Sequence, residues 1–123
     1  MEKILLVIPS LSSRQLYHEV FLSIPTEVVP TETIANAILL LTAEEFKIVV
    51  IDGDDNCLVV EVFLKVRKEK HLWNTIPFLI LASEGEQYQE YLHSWDKMIS
   101  PLDYSPEDVK NQIKFLLSPH TSL

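Results

Sequence analysis

The chain has two glycines, one cysteine and no apolar run approaching the ~20 residues of a membrane helix, and each scarcity removes a class of function. With only Gly53 and Gly85, it lacks the glycine-rich strand-to-helix turn on which P-loop and dinucleotide sites depend. Cys57 stands alone, so neither an intrachain disulfide nor a multi-cysteine metal site can form, and a reducing cytoplasmic setting fits. The histidines His18, His71, His93 and His120 are dispersed without metal-ligand spacing, which argues against a zinc or histidine-based catalytic site. Basic residues are also short: ten Lys and Arg face eighteen Asp and Glu, a net charge of −8 that repels nucleic acid and anionic membranes. The opening MEKILLVIPS is too short in its apolar part for a secretion signal and suits a buried strand.

What the chain does have is apolar residues, 47% of its 123, enough to cover a sheet with helices in one compact domain over residues 1–123. The most telling stretch is KIVVIDGDD, residues 47–55. Ile48 to Ile51 are too few for a helix and too uniformly apolar for a half-exposed strand, which predicts a central strand covered on both faces. Asp52 then stands at its carboxyl end, where parallel sheets place binding and chemistry.

Ile4–Ile8 and Ile76–Ala82 are two further apolar strands, Thr26–Val29 an edge strand ended by Pro30, and Trp95–Ile99 a fifth. Helices are expected between them. The first runs from Ser12 or Ser13 as cap through Leu16, Val20 and Ile24, and the second opens on Thr31 and carries Ile34, Ile38 and Leu41. Cys57–Lys70 forms a third, and Gln87–His93 a short, polar fourth. The last opens on Ser105-Pro106-Glu107, a cap, a first-turn proline and an acid, and runs to Leu117 before a frayed tail at 118–123. Five alternations of strand and helix predict an α/β fold, a doubly wound five-stranded parallel sheet of flavodoxin-like order 2-1-3-4-5.

Element order, the KILLV opening, the IVVID strand, IPFLILAS for the fourth strand and the late Ser-Pro together make nearly the whole chain similar to the CheY-like receiver domain of bacterial two-component response regulators. That resemblance implies a phosphoacceptor aspartate, and Asp52 falls at its position. It also implies an acidic pair holding Mg²⁺ after the first strand, a hydroxyl after the fourth and a lysine before the late proline. Here Ile8 and Pro9 stand for the acids, Ala82 (or, with a one-residue slip, Ser83) for the hydroxyl and Ser100 for the lysine. Lys97 replaces an aromatic residue of the fifth strand. The expectation is a degenerate receiver, not an enzyme, with no cofactor. It would act in bacterial signalling by binding a protein partner, an output domain or its own copy as a homodimer.

Two alternatives stand beside it: a working phosphoacceptor at Asp52, with Mg²⁺ or another cation lent by Asp54, Asp55 or Glu84, and a small-ligand binder using the crevice by Ile8, Asp52 and Ala82. Two surfaces are candidates for a partner. One is the face of the fourth helix, fifth strand and last helix used by receivers, here with Tyr88, Tyr91, Trp95, Lys97, Tyr104 and Phe115. The other is the third helix, whose Leu58, Val59, Val60, Val62, Phe63, Leu64 and Val66 exceed what one buried stripe requires, with Leu39 and Leu40 nearby.

Overall fold

The computed structural model describes residues 2–117; the expected tail at 118–123 lies outside the described residues. Five strands, β1 (Lys3–Val7), β2 (Glu27–Thr31), β3 (Ile48–Asp52), β4 (Phe78–Leu81) and β5 (Lys97–Ile99), form one parallel sheet in the order β2-β1-β3-β4-β5. This is the expected topology. Side chains alternate between the two faces along each strand, so Leu5, Val7, Val49, Ile51, Phe78 and Ile80 point one way and Ile4, Leu6, Ile48, Val50, Leu79 and Leu81 the other. The first set packs under α2 (Ile34–Ala43), α3 (Cys57–Glu69) and a 3-10 turn (Glu86–Tyr91), the second under α1 (Leu11–Phe21) and α4 (Pro106–Leu117). Both faces of β3 are therefore dry, which is why its sequence shows no polar alternation.

Several boundaries move, each for a local reason. Helix α1 is capped by Ser10, whose hydroxyl accepts from Ser13 N–H, rather than by Ser12 or Ser13. Its buried stripe is Tyr17 and Phe21, with Leu16 facing solvent. Strand β2 runs through Pro30 instead of ending there, because an edge strand needs no donor on its open side. Thr31 is consequently a strand residue accepting from Ile8 N–H at 3.0 Å, and Thr33 takes the capping role by accepting from Asn36 N–H at 3.1 Å.

The expected fourth helix is a single 3-10 segment, Glu86–Tyr91. Six residues cannot repay α-helix nucleation, and Tyr88 is tethered to the core. Strand β5 starts at Lys97 rather than Trp95, since Asp96 closes a turn with His93: their backbones bond at 3.1 Å, and the Asp96 carboxylate accepts from His93 N–H at 2.8 Å.

That carboxylate belongs to a buried ion pair. Arg67 of α3 donates to both Asp96 oxygens at 2.7 and 3.0 Å and to Ile76 C=O at 2.9 Å, with its guanidinium 3.8 Å from the centre of the Phe78 ring. Phe78 N–H gives Asp96 a further bond at 2.8 Å. The pair fastens α3 to the amino ends of β4 and β5, the edge of the sheet opposite Asp52.

Candidate functional site at the strand tips

Asp52 ends β3 and is half-buried. One of its oxygens accepts from Asp54 N–H at 2.9 Å and Asp55 N–H at 3.4 Å, so the carboxylate closes the turn that leads into α3. Burial raises its pKa, opposed by those two N–H groups and reinforced by the charges of Asp54 and Asp55. The charge of Asp52 in turn adds to burial in raising the Tyr17 phenol.

The positions to which the resemblance assigns metal and phosphoryl contacts offer little to either. Ile8 is buried in the α1/α4 layer and Pro9 carries no donor atom, so neither supplies an oxygen ligand from its side chain. Ala82 is buried on the other face with the core. The Ser83 hydroxyl is engaged at 3.1 Å with Asp54, which also accepts Ser83 N–H at 2.9 Å and so ties the loop after β4 to the loop after β3. The Ser100 hydroxyl accepts from Leu102 N–H at 3.3 Å and holds its own turn. Glu84 and Glu86 are exposed. Among the described residues no three of His, Cys, Asp and Glu are grouped to hold a metal ion. Neither of the two positions that the resemblance assigns to Mg²⁺ therefore offers a side-chain oxygen.

Arg14 and Tyr88 are the tip residues that sequence reasoning missed in this role. Arg14 brings a cation to the end of β1, where it donates to Ile8 C=O at 2.8 Å and Pro9 C=O at 3.1 Å, 3.9 Å from Glu32. The local sequence carries no signal for this. Tyr88 was expected on an interface and is instead wholly buried, its hydroxyl donating to Gly53 C=O at 2.6 Å. Burial raises its pKa, as does the neighbouring Cys57. A Cβ on Gly53 would lie 2.8 Å from Ile80 and 3.0 Å from the Tyr88 ring, so the glycine is required for space. The Cys57 thiol is half-buried and points at the carbonyls of Gly53 and Asp54, each at 3.4 Å.

A cavity of about 220 Å³ opens beside Asp52, between the tips of β1 and β3 and the first turns of α2 and α3, bounded by Pro9, Glu32, Thr33, Asp55 and Val59. It lies on the α2/α3 side and does not include Ile8 or Ala82. Of the other candidate interface residues, Trp95, Lys97, Tyr104 and Phe115 are exposed and Tyr91 is half-buried against the core. Trp95 stacks on His93 with ring centres 4.6 Å apart.

No protein-family model and no curated protein sequence matches the chain. Solved structures do. The chain is similar to the chemotaxis response regulator CheY4 of Vibrio cholerae, with TM-score 0.78, 19% identity and coverage of 95% of this chain and 99% of that one. It is similar to HP1043, an orphan response regulator of H. pylori, with TM-score 0.76, 17% identity and coverage of 95% and 97%. The response regulator TrrA of Thermotoga maritima, solved in complex with Mg(2+)-BeF, gives TM-score 0.71, 22% identity and coverage of 95% and 100%. The chain therefore has the fold of the CheY-like response-regulator receiver domain, in agreement with its sequence resemblance.

Proposed function

We propose that the chain is a degenerate receiver, a non-enzymatic protein-interaction module of bacterial signalling that works in the cytoplasm without phosphorylation of Asp52. The observation carrying this reading is the engagement of the site's polar side chains in local turn and loop hydrogen bonds. Asp52 closes its own turn, Asp54 holds Ser83, and Ser100 holds Leu102. A phosphoryl group on Asp52 would bring more negative charge to a carboxylate that burial already disfavours, with Ile8 and Pro9 supplying no metal ligand and Ser100 no cation.

Beryllofluoride with Mg²⁺, the pairing present in the TrrA structure, is the direct test. The amide NMR spectrum is expected to stay unchanged around Asp52 on its addition, and acetyl phosphate is expected to leave the mass of the protein unaltered. Shifts centred on Asp52, or an adduct that disappears in Asp52→Asn, would establish the phosphoacceptor alternative.

A further inference from the structure

The turn from His93 to Asp96 joins the 3-10 segment to β5 and holds a titratable ring that has no part in the strand-tip site. His93 is half-buried, and its Nε2 is buried without a hydrogen-bond partner among the described residues. The imidazole stacks on Trp95 with ring centres 4.6 Å apart and planes 20° from parallel. Its backbone closes the turn: His93 N–H donates to the Asp96 carboxylate at 2.8 Å, and His93 C=O accepts from Asp96 N–H at 3.1 Å. Lys68 of α3 donates to Glu90 C=O, which holds α3 against the segment that leads into the turn.

A neutral imidazole tolerates this position and an imidazolium does not. The neutral ring needs a hydrogen on only one nitrogen, so Nε2 can stand bare. Protonation puts an N–H there with no acceptor, and a buried, charged donor left unpaired is costly. The charges facing the ring act in the same sense. Arg67 and Lys68 of α3 and, when protonated, His71 beyond it oppose a further cation, against one carboxylate, Asp96 of the ring's own turn. That carboxylate is already engaged by Arg67, Phe78 N–H and His93 N–H. Glu61 and Glu69 of α3 and Glu90 of the 3-10 segment bear on the Tyr91 hydroxyl instead. Burial and then Arg67 hold the His93 pKa below the ordinary histidine range, with Lys68 and His71 adding to them and Asp96 opposing. Stacking on an indole favours an imidazolium, yet Trp95 is 43% exposed, and in water that attraction is small beside the cost of an orphaned N–H.

We propose that the His93–Asp96 turn is a pH-operated latch, shut while His93 is neutral and opened when His93 takes a proton from solvent, the imidazole then leaving Trp95 for water. Because the folded pKa lies below the unfolded one, the shut turn contributes its full stability above the unfolded value and loses it as pH falls through the folded one. Trp95 is among the exposed residues of the candidate interface, so opening alters that surface. The latch stands whether or not Asp52 accepts a phosphoryl group.

NMR of the whole chain from about pH 8 to pH 5 is the test. The His93 ring is expected to titrate with a midpoint below the ordinary 6.5, and the nuclear Overhauser contacts between the His93 and Trp95 rings to disappear with that same midpoint. The His93 amide is expected to lose about tenfold or more of its protection against hydrogen exchange on the acid side. In His93→Gln, which cannot take the proton, the Trp95 indole signal is expected to stay constant over the range. A midpoint at or above 6.5, ring contacts or amide protection that persist in the imidazolium, or a Trp95 titration that survives in His93→Gln each overturn the proposal. The ring titration and contacts are read in the native chain, so they decide the matter even if the glutamine variant does not fold.

Discussion

Asp52 is a carboxylate kept partly out of water, and the consequence for stability has a definite sign. Its folded pKa is raised above its unfolded value, chiefly by burial, so the native state holds the proton more tightly than the unfolded chain does. The associated stability is present below the unfolded pKa and is lost as pH rises through the folded one. At neutral pH the charged side chain costs stability, offset by the two N–H bonds it accepts. Asp52→Asn keeps an oxygen for the turn and removes the charge. It is expected to raise the melting temperature at pH 7, by an amount that shrinks toward zero as the pH falls through the acid range. Thermal melts of both proteins across that range provide the check, and an asparagine variant less stable at pH 7 would contradict this account.

Between elements, the buried Arg67–Asp96 pair joins α3, β4 and the turn before β5. Neither side chain touches solvent, and the two are bound in a fork geometry with backbone bonds completing Asp96. Arg67 Nε and His93 Nε2 are buried beside it without a partner, which adds to the cost of the arrangement. Removing one charge leaves the other stranded. Asp96→Ala is expected to lose about 3–5 kcal/mol in urea denaturation, and the Arg67→Met/Asp96→Ala double variant to recover part of that loss. The 3-10 segment answers to the same region, since Lys68 of α3 donates to Glu90 C=O. An α-helix in its place would pull Tyr88 from Gly53 and His93 from Asp96.

For the whole molecule, the two apolar layers hold the sheet between them, and several apolar side chains remain outside both. Leu58, Val59 and Val62 belong to neither layer. Val62→Glu, at an exposed site outside both layers, is therefore expected to change stability by no more than about 0.5 kcal/mol, measured by urea denaturation.

The local chemistry of the chain was sufficient for its architecture. Apolar runs of four to seven residues named the buried strands, and Ser105-Pro106 named the start of α4. Such features depend on near neighbours, whose spacing the chain displays directly. The rest joins residues far apart: Ser83 with Asp54 across 29 positions, Arg67 with Asp96 across 29, Tyr88 with Gly53 across 35. Strand register and helix rotation bring these together, and the same rotation buries Phe63 and Leu64 while leaving Leu58 and Val62 in solvent. All four are equally apolar in one dimension. Only packing against the sheet distinguishes core from surface, because burial is a property of the neighbours a side chain acquires and not of the side chain alone.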